Sequence, residues 1–69
     1  MSQVAKIKLA ENIAKLRMAR KMTREELSLG LGLDNSYISK LEKGKVNITI
    51  DRIQDIADFF NVNFINLFK

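Results

Sequence analysis

Residues 23–44, TREELSLGLGLDNSYISKLEKG, carry two short helical patterns separated by one glycine and closed by another, and no other stretch restricts the fold as tightly. Thr23 offers an N-cap hydroxyl, and Glu26 stands three residues on, where cap and glutamate satisfy each other's free backbone donors. Leu27 and Leu31 then share a face. Gly32 is the natural stop, since glycine enters the left-handed conformation that closes a helix at little cost. Asp34 is expected to cap the next helix, with Tyr37, Ile38 and Leu41 as its apolar side and Gly44 as its end. Leu27, Leu31, Leu33, Ile38 and Leu41 can lock the two helices at a fixed angle, which leaves Asn35, Ser36, Ser39 and Lys40 pointing outwards. This is the pattern of a helix-turn-helix over about residues 23–43, a unit whose second helix fits the major groove of a duplex.

Two helices this short bury little alone, and the rest of the chain supplies the frame. Upstream, Leu9, Ile13 and Leu16, with Ala10 and Ala14 beside them, predict a helix from about Ala5 to Lys21. Downstream, Thr49 is an N-cap and Asp51 lies in the first turn, where a carboxylate suits the helix dipole. Ile50, Ile53, Ile56, Ala57 and Phe60 form the apolar stripe of that helix. Asn61 to Asn63 break the pattern, and Asn63 can cap a last short helix carrying Phe64, Leu67 and Phe68. No strand alternation and no internal repeat occurs. The expectation is an all-α, compact five-helix bundle, one domain over residues 1–69. Gly30 falls inside the second helix at a cost of about 1 kcal/mol relative to alanine, with no role visible at this level.

Composition removes several function classes. The chain has no cysteine and no histidine, which eliminates disulfides, thiolate metal sites, and the commonest general base and zinc ligand. Asp51, Asp55 and Asp58 follow helical spacing and read as one solvent-facing acidic stripe rather than a metal cluster. No catalytic group, metal, cofactor or small-molecule ligand is expected. No run approaches the roughly 18 apolar residues needed to span a bilayer, and lysines interrupt the amino-terminal apolar positions, so a cytoplasmic protein is expected. The net charge of +4 is unevenly spread: residues 1–48 hold ten lysines and arginines to five acids, residues 49–69 two to three. A basic front suits an anionic partner, double-stranded DNA. All four phenylalanines lie in the last eleven residues. Because neighbours on a helix point about 100° apart, one face cannot bury Phe59 and Phe60 together. An apolar surplus is therefore expected at the surface, forming a homodimer interface of Phe59, Phe60, Phe64 and Phe68 within about residues 57–69.

The segment TREELSLGLGLDNSYISKLEKGK resembles the Cro/C1-type (XRE-like) helix-turn-helix of phage repressors and bacterial regulators, and the likeness runs over about residues 9–68. LDNSYISKLEKGKVNITI is similar in particular to the controller proteins of restriction–modification systems. The resemblance implies a five-helix bundle of the lambda-repressor-like DNA-binding type, acting as a homodimeric transcriptional regulator on a pseudo-palindromic operator, with the third helix reading DNA. Carried over position by position, Asn35, Ser36, Ser39 and Lys40 face the bases. Arg24, where the family usually has glutamine, opens the second helix and would hold a phosphate. Lys43, Lys45, Asn47 and Thr49 are further phosphate candidates near helix ends. Tyr37 has two readings, a hydroxyl offered to phosphate or a purely core ring. Arg17 and Glu42 match a family ion pair that clamps the first helix to the third. Two departures stand out: Asp34 replaces the usual serine or threonine, and Ser28 replaces a tightly packed alanine. The same fold also serves phage-type repressors and antitoxin or protein-interaction modules, which remain the alternative functions.

Overall fold

A computed structural model describes residues 2–69 of the chain. It contains four α-helices: α1 (Gln3–Ala19), α2 (Arg24–Gly30), α3 (Tyr37–Glu42) and α4 (Ile50–Phe60). A single 3-10 helix, Phe64–Phe68, follows them. No strand occurs among the described residues. The all-α class therefore stands, but the expected five-helix bundle is four α-helices and a 3-10 helix. The last element spans only five residues, in keeping with the 3-10 form, which is used in short pieces at helix ends and as connectors. Asn63 precedes it in an extended conformation and makes no side-chain cap bond. Tertiary contacts hold the segment instead: Asn12 Nδ2 on α1 donates to the Leu67 carbonyl at 2.8 Å, and the Leu67 side chain is buried.

Helix starts follow the polar side chains ahead of them. Ser2 accepts from the Ala5 amide through its hydroxyl, so α1 begins before the expected Ala5. At α2 the reciprocal box is formed, with Glu26 N–H donating to Thr23 Oγ1 at 3.0 Å and Thr23 N–H to Glu26 Oε1 at 2.8 Å. Thr49 caps α4 by accepting from the Arg52 amide.

Helix ends share one device. Lys21, Gly32, Gly44 and Asn61 each adopt positive φ, and each is followed by an amide that reaches back five positions: Met22 to Arg17, Leu33 to Ser28, Lys45 to Lys40 and Val62 to Ala57, at 2.9–3.1 Å. This is the Schellman closure. Glycine and asparagine suit the left-handed turn, whereas a lysine there is uncommon. α1 consequently stops at Ala19 rather than running to Lys21.

Every element contributes to one core. Leu9 and Ile13 from α1, Leu27 from α2, Ile38 and Leu41 from α3, and Ile53, Ile56, Ala57 and Phe60 from α4 close over Leu67. Ile50, expected in the α4 stripe, instead projects into solvent at 72% exposure. It opens the helix, one turn ahead of the positions that meet the core.

Candidate nucleic-acid interface

α3 is anchored on its apolar side by Ile38 and Leu41, both buried. Asn35 and Lys40 are exposed, and Ser36 and Ser39 are half-buried. The four base-reading candidates therefore lie on or immediately before one six-residue helix. Asp34 does not cap it as expected. The helix starts after Ser36, which makes no side-chain cap bond to the backbone, and Ser36 Oγ instead donates to Asp34 Oδ2 at 2.6 Å. That bond, with the Lys40 charge and the Asn35 and Ser36 amides, holds the Asp34 carboxyl below its ordinary value against a smaller desolvation effect. A depressed carboxyl contributes its bond above the ordinary carboxylate range and loses it as pH falls through the lowered value. The turn that leads into α3 thus keeps its bond at neutral and mildly acidic pH.

The missing cap of α3 comes from another helix. Ser28 is fully buried on α2, where its hydroxyl donates to the Arg24 carbonyl and accepts from the Ile38 amide, both at 3.0 Å. One of the free amides at the start of α3 is thereby satisfied inside the core. In the sequence Ser28 stands out only as a replacement for a tightly packed alanine. A serine in a helix interior often bonds back four residues, but nothing in the sequence indicates that it also reaches the next helix.

Behind α3 lies a cluster of three charges. Arg17 Nε donates to Glu42 Oε2 at 2.9 Å, and the two side chains are 9% and 10% exposed. Arg17 Nη1 also donates to the Met22 carbonyl at 2.9 Å, which ties α1 to the turn before α2. Arg24 joins the pair, its Nε 2.8 Å from Glu42 Oε1, with its own side chain 56% exposed. The sequence pointed to Arg17 with Glu42 and to Arg24 separately, but not to their meeting on one carboxylate.

The remaining phosphate candidates are disposed around these helices. Lys43 and Lys45 are exposed after α3. Asn47 is also exposed, with its Oδ1 accepting from Lys6 Nζ at 3.1 Å, so its amide N–H donors are the groups left to face a ligand. Thr49 uses its oxygen as the α4 cap and retains its hydroxyl proton for donation. The Tyr37 ring is half-buried beneath the Arg52 guanidinium, 5.6 Å from its centroid. Burial raises the Tyr37 pKa, with Arg52 opposing, so the phenol stays a neutral donor. Arg52 was not singled out from the sequence; it lies fifteen residues beyond Tyr37 and meets it only in the folded chain.

The aromatic end needs correction. Phe60 is 4% exposed and belongs to the core, so it is unavailable for pairing. Phe59 is half-buried and lies over Gly30, where a Cβ would stand only 3.1 Å from its ring. The two rings meet edge to face at 5.2 Å. Arg20 sits over both and donates to the Phe59 and Phe60 carbonyls at 3.2 and 3.1 Å. Phe64 and Phe68 are half-buried and tilted against each other at 5.6 Å. The exposed apolar side chain of this stretch is Ile65, which the sequence reading left out. Phe68 also borders a shallow depression of about 530 Å3 shared with Val4 and Ile7 of α1.

Comparison with known proteins bears on this arrangement. The helix-turn-helix family profile matches residues 13–66. The chain is 30% identical over 59 residues to the uncharacterised HTH-type transcriptional regulator y4dJ of Sinorhizobium fredii (strain NBRC 101917 / NGR234), covering 86% of this chain and 77% of that relative. Among solved structures, the hypothetical transcription factor NHTF from Neisseria superposes with a TM-score of 0.88 at 29% identity, covering 94% of this chain and 75% of that one. The restriction–modification controller protein C.AhdI from Aeromonas hydrophila gives 0.81 at 28%, over 91% and 96% of the two chains. A second controller protein, C.Esp1396I, gives 0.81 at 30%, over 99% and 90%. With a profile spanning most of its length, the chain belongs to the helix-turn-helix family of DNA-binding transcriptional regulators, in its XRE-like Cro/C1 type.

Proposed function

We propose that this protein is a sequence-specific transcriptional regulator that binds a pseudo-palindromic operator as a homodimer, in the manner of a restriction–modification controller, in the cytoplasm. The observation that carries the reading is the fixed presentation of α3. Its apolar side is buried, its first buried amide is held by Ser28, and Asn35 and Lys40 stand free on the outside. Asparagine pairs well with adenine and lysine with guanine in the major groove, and the half-buried Ser36 and Ser39 can bond either at shorter range. Arg24, Tyr37, Lys43, Lys45, Asn47 and Thr49 hold the backbone around them. Likeness to two controller proteins over nearly the whole chain supports the controller role.

A single short helix carries too little information to choose a site, so pairing is integral to the proposal. Phe64 and Phe68, joined by Ile65, form the surface for a second copy, since Phe60 is occupied by the core and Phe59 by Gly30. Two such helices related by a dyad would read half-sites about one DNA turn, roughly 34 Å, apart. Selection of bound sites from random DNA, run alongside sedimentation, tests both parts. The expected result is a symmetric site bound by two chains; a folded protein that selects no common sequence sinks the reading. Lys40→Ala should relax preference at one base pair in each half-site.

A further inference from the structure

The cluster of Arg17, Arg24 and Glu42 joins α1, α2 and α3, and bracing alone accounts for only part of it. Arg24 donates to Glu42 through Nε. Its two terminal nitrogens donate to nothing among the described residues, and its side chain is more than half exposed. A guanidinium held by Nε keeps its outer edge open, the edge that donates to two phosphate oxygens in parallel. We infer that Glu42 is a positioning residue for DNA: it fixes Arg24 in one pose for phosphate, while the buried Arg17 keeps that pose positively charged. The inference rests on Arg24 as a phosphate contact.

The charge count is what makes the arrangement work. A carboxylate paired with Arg24 alone would orient it but cancel its charge, leaving phosphate little to gain. Glu42 is shared by two guanidiniums, so one positive charge is left over. Arg17 is buried and Arg24 is not, so the surplus faces solvent at Arg24. A free arginine must also be immobilised when it binds, which weakens association; here the side chain is already held in the free protein. The usual glutamine at this position would bond phosphate without charge. Arginine adds charge, and Glu42 supplies the fixed direction that arginine would otherwise lack.

The test compares Arg24→Lys, Arg24→Gln and Glu42→Gln in the full chain, by affinity across a salt series. Each is measured on the selected site and on an unrelated duplex, because phosphate contact is independent of sequence. Arg24→Lys retains the charge but cannot bond Glu42 and phosphate through separate edges. It should keep the wild-type salt slope and bind both duplexes about tenfold more weakly per bound protomer, the loss expected of one charge-assisted bond in each. Arg24→Gln should flatten the slope by about 1.8 for the bound dimer, through release of one fewer counterion per protomer. In the Glu42→Gln background, provided urea melts show it folded, Arg24→Lys should cost no more than about twofold, since the positioning partner is already gone.

Arg24→Lys within about twofold of wild type at every salt concentration overturns the inference, as does the same tenfold cost with and without the Glu42 carboxylate. If Glu42→Gln does not fold, the Arg24→Lys comparison decides alone. An unchanged slope for Arg24→Gln removes the phosphate contact and the inference with it. Absence of any preferred site sinks the regulator reading, but leaves the result on the unrelated duplex to decide the role of Glu42.

Discussion

Between α2 and α3 the contacts that set geometry are directional. Ser28 Oγ lies 3.0 Å from the Ile38 amide, and Glu42 accepts from Arg17 and Arg24 at 2.9 and 2.8 Å. At the other end of the molecule, Phe59, Phe60, Phe64 and Phe68 pack ring against ring, and Arg20 closes over the first two. Hydrogen bonds fix both distance and angle and weaken steeply once bent below about 120°, whereas apolar packing tolerates exchanges that nearly conserve volume. The difference matches the work asked of each region. If α3 reads base edges as proposed, it needs one orientation, while the aromatic packing around Phe60 needs only to be filled.

The largest effect should come from breaking the charge cluster. Glu42→Ala leaves the Arg17 guanidinium buried without its carboxylate, which should destabilise the fold by about 3–5 kcal/mol, read as a shift in the urea midpoint. A loss below about 1 kcal/mol would mean that water replaces the carboxylate freely, and the cluster would then be no more directional than a surface pair. Ser28→Ala comes next. The Ile38 amide stays buried and loses its acceptor, a cost of about 1–3 kcal/mol, offset slightly by the better helix propensity of alanine. Hydrogen exchange provides the local readout: the Ile38 amide should exchange faster than that of Leu41, whose acceptor four residues back lies in the same helix.

These two positions also mark where the sequence stops being legible. The caps at Thr23 and Thr49 and the stops at Gly32 and Gly44 could be read because each depends on residues within a few positions of one another. The pairing of Arg17 with Glu42 was legible only through family resemblance, since 25 residues separate the two. Ser28 reaching Ile38, Arg24 sharing Glu42 and Arg52 covering Tyr37 each depend on how helices cross, which helical periodicity does not encode. Lys21 is the opposite case. It is entirely local, yet was missed because its left-handed turn is one that lysine seldom adopts. The site followed the same division. The exposure of Asn35 and Lys40 and the apolar lock behind them were legible locally, whereas the Ser28 bond to α3 and the sharing of Glu42 were not.

On the aromatic side, substitutions should be milder. Phe60→Leu keeps an apolar side chain of similar volume and should cost about 1 kcal/mol, within the range for core swaps that nearly conserve volume. A loss as large as that of Glu42→Ala would show that the edge-to-face contact with Phe59 and the Arg20 cation fix this end as firmly as the polar bonds fix α3.

Gly30→Ala should have the smallest effect, and it tests the comparison most finely because two terms nearly cancel. Alanine gains up to about 1 kcal/mol of helix propensity over glycine. Its Cβ would stand 3.1 and 3.2 Å from Cε1 and Cζ of Phe59, so the ring must retreat by a few tenths of an ångström. Phe59 is half-buried, with solvent on its outer side, and can give that distance. If packing at this end is adjustable, the net change should lie within about 0.5 kcal/mol of zero, as for substitutions away from rigid features. Destabilisation beyond about 1 kcal/mol would exceed the propensity gain outright, placing Phe59 in a rigid seat between Arg20 and the α2 backbone. Gly30 would then be required by that ring, and the aromatic end would orient α2 rather than merely cover it.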